Sequence, residues 1–380
     1  MTECVDFIVV GAGMAGASMA YELSEKGASV QVIEAEAHAA YHTTGRSAAF
    51  YMVGYGNDVV RAITLSSEAF FTNPPDGFCE YPLLKPLGAM YIAKSDQLPQ
   101  LRDVHQRVSK VLTNVALVDD SFVYDKVPEL KPGIDAGFWE PNSREIDVAA
   151  LLAGYIKFAS RKGVRFSFNA RVTRLAQDHG EWLVTTEAGE FRSKKIVNAA
   201  GAWGDKLSIM AGAEPVGLQP KKRTVCIAKA PDGVDVQRWP LTIDIDESFY
   251  FKPESGNILI TPADETSSEP MDAFPDDLDV AIGVARFEDA VNVKITSIKR
   301  QWAGLRTFAP DRSPVAGYDT SVAGFFWLAG QGGYGIQMAP GLAKAAAALA
   351  MGEGIPEFME KLGVQAGDIS PARYQKLSND

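Results

Sequence analysis

Apolar and polar positions along the chain fall into short runs and stripes whose order predicts the architecture. Asp6-Phe7-Ile8-Val9-Val10 is a nearly continuous apolar run, the pattern of a strand buried on both faces of a parallel sheet. Residues 18–26 carry apolar side chains at helical spacing, Gly27 ends that helix, and Ser29-Val30-Gln31-Val32-Ile33 makes a second strand. Further on, 58–73 reads as a helix stopped by Asn73-Pro74-Pro75-Asp76-Gly77, 88–93 as a strand, and 96–112 as a polar amphipathic helix. Asp147 opens another helix to about Lys162, followed by strands at 164–168 and 171–175 and a meander through 182–187 and Phe191. Lys195-Ile196-Val197-Asn198 then runs into a small-residue turn at 199–204. From about 215 to 306 the pattern becomes short strands separated by turn residues, as in an antiparallel sheet. Phe325-Phe326-Trp327-Leu328-Ala329 is one more buried strand, followed by a glycine-rich turn at 330–335 and an alanine-rich helix from about 338 to 350.

Between the first strand and helix lies Gly11-Ala12-Gly13-Met14-Ala15-Gly16, and Glu34 ends the second strand. A G-x-G-x-x-G turn inside a βαβ unit, with an acid about 20 positions on, is a dinucleotide-binding fingerprint. Gly11 permits the tight turn, Gly13 admits a pyrophosphate to the backbone, and Gly16 lets helix and strand pack closely. The helix N-terminus offers unpaired N–H groups to the phosphates. Glu34 is placed to accept hydrogen bonds from ribose hydroxyls. Parallel-strand signatures at the start, middle and end, with antiparallel material between them, favour a flavin adenine dinucleotide protein over a nicotinamide dehydrogenase. In such a protein the turn at 330–335 aims the last helix at the flavin, where its dipole favours the negative charge of reduction. The fold class expected is α/β with an α+β insert.

Composition narrows the remaining classes. At 380 residues the chain suits two connected domains, and a formal net charge of −11 argues against nucleic-acid binding. No apolar run approaches the ~20 residues of a membrane span, and a first strand by Asp6 leaves no room for a signal peptide, so a cytoplasmic location is expected. Cys4, Cys79 and Cys226 show no C-x-x-C spacing, and His38 and His42 sit in a loop-like stretch without H-E-x-x-H, so no metal site is expected.

Six separated segments carry a family resemblance. They are Tyr41-His42-Thr43-Thr44-Gly45-Arg46-Ser47-Ala48-Ala49, Asn73-Pro74-Pro75-Asp76-Gly77-Phe78-Cys79-Glu80 and Leu218-Gln219-Pro220-Lys221-Lys222-Arg223, then Asp246-Glu247-Ser248-Phe249-Tyr250, Trp302-Ala303-Gly304-Leu305-Arg306 and Gln331-Gly332-Gly333-Tyr334-Gly335-Ile336-Gln337. On these the chain resembles the D-amino-acid oxidase/glycine oxidase family of flavoproteins, and within it the bacterial D-arginine dehydrogenases. The resemblance implies a FAD-binding Rossmann-like domain (1–50, 146–205 and 311–380) interleaved with an antiparallel-sheet substrate domain with a lid loop (51–145 and 206–310). It implies that Arg223 and Arg306 bind the substrate carboxylate, a role suited to the guanidinium fork. Tyr250 is implied as a hydroxyl donor nearby, Tyr55 as part of a mobile lid, and Gly333 and Gln337 as contacts to amine and flavin. The cofactor contacts it implies are Gly11, Gly13, Met14, Ala15, Gly16, Glu34, Ala35, the loop His42, Thr43, Thr44, Gly45, Arg46, Ser47 and Ala48, then Val172, Gly201, Gly304, Gly332, Gly333, Tyr334, Gly335 and Ile336. None of the cysteines lies in a segment suggesting covalent attachment, so non-covalent FAD is expected.

Two departures bear on substrate. Where D-arginine dehydrogenases hold the substrate guanidinium with a glutamate this chain has Ala89, and a histidine near their substrate is Phe50 here. A cationic side chain would lose its ion pair and still be desolvated, at a cost of several kcal/mol. The expected reaction is therefore oxidative deamination of a D-amino acid with a neutral, apolar side chain. Hydride passes from Cα to flavin N5, and the imino acid hydrolyses to a 2-oxo acid and ammonia. Oxygen, a quinone or another carrier is left as the electron acceptor. Two alternatives stand beside it: oxidation of a secondary amine such as sarcosine, glycine or an opine-like compound, and a flavin-bearing subunit of an electron-transfer complex.

Overall fold

The computed structural model describes residues 4–374, so the ends of the outermost expected segments, 1–3 and 375–380, lie outside it. The predicted βαβ unit is present as strand β1 (Cys4–Val10), helix α1 (Met14–Glu25) and strand β2 (Val30–Ile33). β1 pairs in parallel with β2 on one side and with strand Gly189–Asn198 on the other. Arg165–Ser167 extends the parallel sheet beyond β2, and Phe325–Ala329 extends it beyond Gly189–Asn198. An antiparallel meander, Val172–Asp178 with Glu181–Thr186, branches from the first half of Gly189–Asn198, and Val315–Tyr318 covers the far edge. Strands distant in sequence thus form one sheet, the interleaving expected from the scattered parallel-strand runs.

The helices of this layer are set by caps and small residues. Asp147 accepts a hydrogen bond from the Ala150 N–H at 2.8 Å and starts helix Val148–Arg161, satisfying one of the unpaired first-turn donors. Helix Gly335–Ala350 packs against both α1 and helix Asp58–Thr72. It approaches the latter so closely at Gly341 that an added Cβ would stand 2.2 Å from the Ser66 hydroxyl. The helix begins at Gly335 rather than near 338, because the glycine turn feeds directly into it with Tyr334 as its cap.

The second sheet has nine strands. Its longest pairing is antiparallel, Gln219–Ala228 with Ile298–Phe308, in a register that sets Arg223 opposite Gly304 and Lys221 opposite Arg306. Side chains alternate faces along a strand, so Arg223 and Arg306 are diagonal neighbours on one face. The expected run of short strands at 215–306 needs correction in two respects. Residues Asp277–Ala290 form a helix, started by Asp276, which accepts from the Leu278 N–H. Its buried stripe is only Val280, Gly283 and Phe287, too narrow to stand out from the turn-rich flanks. The sheet also contains a parallel pair, Leu241–Asp244 beside Ala89–Ala93. No helix among the described residues is long and apolar enough to cross a membrane.

Candidate active site

One continuous cavity of about 380 Å³ runs from the glycine turn after β1 to the arginine-bearing face of the second sheet. At its first end the three glycines have the geometry their spacing implies. Gly11 has φ of +109°, and an added Cβ would stand 2.4 Å from the Ala199 carbonyl oxygen. At Gly16 a Cβ would stand 1.9 Å from the Gly11 carbonyl oxygen, so helix and turn touch only because the residue is glycine. Glu34 accepts from the Ala12 N–H at 2.7 Å and from the Glu36 N–H at 2.9 Å, which ties the end of β2 to the turn. The following loop is pinned across the cavity. Thr44 accepts from the Met14 N–H, Thr43 donates to the Leu305 carbonyl, and Arg46 donates to the carbonyls of Ala273 and Ala303 and pairs with Asp272. Gly304 makes room for this, since a Cβ there would lie 3.3 Å from Arg46 Cβ.

At the other end Arg306 and Arg223 face the cavity, each with only 11% of its side chain exposed. Arg306 donates through Nη1 to the Tyr55 hydroxyl at 3.1 Å and through Nη2 to Glu265 at 2.8 Å. Its buried Nε has no hydrogen-bond partner. Arg223 donates through Nε to the Asp264 carbonyl at 2.9 Å. Glu265 also receives two hydrogen bonds from Arg312. Burial raises the Glu265 pKa, but Arg312, Arg306 and Arg223 outweigh it and bring it down to about 2. Burial opposes the charge of Arg306, and the surrounding Tyr55, Tyr250 and Glu265 more than offset it. The net result is a partly neutralised cationic wall with donors to spare, suited to a carboxylate.

The glycine turn before the last long helix lies against this wall. A Cβ at Gly333 would meet Arg306 Nη1 at 2.7 Å and the Tyr55 hydroxyl at 3.2 Å. Gln337, on the cavity wall, accepts from the Met52 N–H at 3.1 Å, while its buried Nε2 has no partner. The remaining wall is mostly apolar and aromatic. Phe50 and Tyr250 meet edge to face with centroids 6.0 Å apart, Met52, Tyr91, Leu241 and Ile243 lie beside them, and Glu247 adds a carboxylate to this end. Tyr55 is packed on Tyr334 with centroids 4.7 Å apart, and burial pushes its hydroxyl pKa up to about 12.

The structure therefore gathers Arg223, Arg306, Tyr250, Tyr55, Phe50, Gly333 and Gln337 at one end. It lines the rest of the cavity with Gly11, Gly13, Met14, Ala15, Glu34, Ala35, His42, Thr43, Thr44, Arg46, Ser47, Ala48, Val172, Gly201, Gly304, Gly332, Gly335 and Ile336. Four expected contacts are one layer back. Gly16 packs against Gly11, Gly45 against the Ala40 carbonyl, and the Tyr334 ring lies behind Gly333 against Tyr55 and Phe308. Ala89 is fully buried beside Leu241, and its methyl is too short to reach the cavity that Tyr91, two residues on and on the same strand face, does line. Sequence reasoning missed Glu265, Asp264 and Tyr91. A carboxylate next to a run of basic residues at 221–223 in space has no signature in chain order. His42 Nε2 lies 3.1 Å from the Glu36 carboxylate, and its ring lies tilted against Trp203 with centroids 4.6 Å apart.

The cavity combines a phosphate-binding turn, an acid at the end of β2, and a helix N-terminus facing an apolar chamber with an arginine wall. That combination defines a dinucleotide-binding oxidoreductase, and the comparisons agree. The chain belongs to the DAO family of FAD-dependent oxidoreductases, whose match spans residues 6–349. The cofactor is FAD: the long cavity that Gly11, Gly13, Gly332 and Gly333 line, from Glu34 at one end to Gln337 at the other, fits a dinucleotide. The chain is 25% identical to the mitochondrial dimethylglycine dehydrogenase of Rattus norvegicus over 366 residues, covering 89% of this chain and 42% of that protein. It thus spans about two fifths of the length of the dimethylglycine dehydrogenases it matches. It is 27% identical to the N-methyl-L-tryptophan oxidase of Citrobacter koseri over 221 residues, covering 56% of this chain and 57% of that one. In fold it is similar to the glycine oxidase of Bacillus cereus, with a TM-score of 0.78 at 18% identity, covering 94% of this chain and 99% of that one.

Proposed function

We propose that this protein oxidises the Cα–N bond of a D-amino acid with a neutral, apolar side chain, giving an imino acid that water hydrolyses to a 2-oxo acid and ammonia. The observation carrying the reading is the pair of guanidiniums, Arg223 and Arg306, that strand register sets side by side on one cavity wall. Three arginines there share the Glu265 carboxylate, and a substrate carboxylate facing Arg223 and Arg306 balances the remaining positive charge. FAD, when bound, supplies the acceptor for the hydride and its electron pair. The chain's own residues bind and orient. Arg223 and Arg306 clamp the carboxylate, Tyr55 and Tyr250 flank it with hydroxyls, and Phe50, Met52, Leu241 and Ile243 surround the side chain. Tyr55 covers this end and excludes water, and the clamp fixes Cα, an orienting effect worth several kcal/mol in such reactions. Ala89, set behind the wall, supplies no anion at its own position, and Glu247 is the acidic side chain that lines this end. We take the two sheets as the cores of a FAD-binding domain (1–50, 146–205 and 311–380) and a substrate-binding domain (51–145 and 206–310), with the FAD held non-covalently.

A second reading is oxidation of an N-methylated or other secondary amine of an amino acid. It is favoured by the two sequence relatives named for dimethylglycine and N-methyl-L-tryptophan. The arginine clamp serves both readings, because both substrates carry a carboxylate. Arg306→Met tests the clamp. The expected result is a large rise in KM with FAD retained, and an unchanged KM overturns the assignment.

A further inference from the structure

Glu140 is a buried carboxylate that touches neither the cofactor turn nor the arginine wall. It ends strand Ala136–Glu140 and is 2% exposed. Its two oxygens stand 3.4 and 3.2 Å from the backbone nitrogen of Gly54, whose N–H donates to them. From the opposite side Arg61, 6% exposed on helix Asp58–Thr72, donates Nε–H to the Gly54 carbonyl at 3.3 Å. Gly54 is thus held through both of its backbone polar groups. The fit leaves no slack, since a Cβ at residue 54 would stand 2.5 Å from Glu140 Oε2. The next residue is Tyr55, whose hydroxyl accepts from Arg306.

We propose that Glu140, with Arg61 acting on the same glycine, is a positioning residue for carboxylate binding: it sets the backbone from which the Tyr55 hydroxyl reaches Arg306. The inference rests on the reading of Arg306 as the carboxylate ligand. A buried carboxylate is expensive to desolvate, and an apolar residue of similar size would fill this position with less cost to the fold. What Glu140 provides and leucine does not is an acceptor for the Gly54 N–H. The same stretch is tied at Met52 to Gln337, so the chain from Met52 to Tyr55 runs between two side-chain anchors, one of them on the cavity wall. The stretch leading to Tyr55, expected to be part of a lid, is tied from beneath at Met52 and Gly54.

The test is a double-mutant cycle on the holoenzyme, with benzoate as a simple carboxylate probe read by the change in flavin absorbance. Glu140→Leu is expected to weaken benzoate roughly tenfold, the size of about one hydrogen bond. In a Tyr55→Phe background the same substitution is expected to add less than about twofold, because the positioned hydroxyl is already gone. Equal effects in both backgrounds overturn the inference and make Glu140 a structural residue only. Should Glu140→Leu lose FAD, Arg61→Gln releases the other side of Gly54, and the same non-additivity with Tyr55→Phe is expected of it. Arg306→Met separates the two claims. If it leaves benzoate affinity unchanged, the clamp reading fails. If it abolishes binding while the cycle is additive, only the role of Glu140 fails.

Discussion

Gly333→Ala is the smallest change that reaches the arginine wall. Gly333 is not among the glycines with positive φ, so alanine is compatible with its backbone and the perturbation is one methyl group. That methyl would stand 2.7 Å from Arg306 Nη1 and 3.2 Å from the Tyr55 hydroxyl. Relaxed contacts of this kind lie near ~3.5–4 Å, so the guanidinium must move by most of an ångström. Arg306 has little freedom to do so, being buried and held by Tyr55 and Glu265. The displacement costs the wall about one hydrogen bond to a charged group, ~1.5–3 kcal/mol, or roughly 10- to 100-fold in affinity. The assay is titration of the holoenzyme with benzoate, followed by KM for whichever substrate bleaches the flavin, with Tm as a control for folding. A benzoate Kd within twofold of the wild type would refute the placement of Gly333, Arg306 and Tyr55 around a carboxylate.

Two further outcomes are expected. Burial raises the pKa of Glu22 on α1 to about 7, above its ordinary 4.5, so the folded state holds a proton that the unfolded chain has released. Stability is then lost as pH rises between those values, and Glu22→Gln is expected to raise Tm more at pH 8 than at pH 4, a pattern thermal melts at both pH values would reveal. Acid precipitation is expected to leave all FAD in the supernatant, and flavin remaining with the protein pellet would show a covalent link.

The elements that were readable from the sequence are those whose cause is local. The β1–α1–β2 unit follows from an apolar run, helical spacing and three glycines, two of which, Gly11 and Gly16, press against a backbone oxygen. Asp147 announces its helix because its cap is made within three residues. The relation of Arg223 to Arg306 comes from strand register across 83 residues of sequence, which alternation predicts for each strand but not between them. Resemblance supplied that pairing, and the register explains it. Glu265 among three arginines and Glu140 beneath Gly54 had no local signal, because their meaning depends on which distant backbone they face. Ala89 shows the reverse: its small size was legible, but not that it stands behind the cavity surface.

On the proposed function, a carboxylate-bearing D-amino acid with an apolar side chain delivers its Cα hydride at this wall. Anaerobic mixing of the holoenzyme with D-amino acids, L-amino acids and N-methylated amino acids measures this directly as loss of oxidised-flavin absorbance. Bleaching is expected first and fastest with D-amino acids bearing neutral, apolar side chains. Bleaching by N-methylated amino acids alone, or a kcat/KM highest for D-arginine or D-lysine, would contradict it.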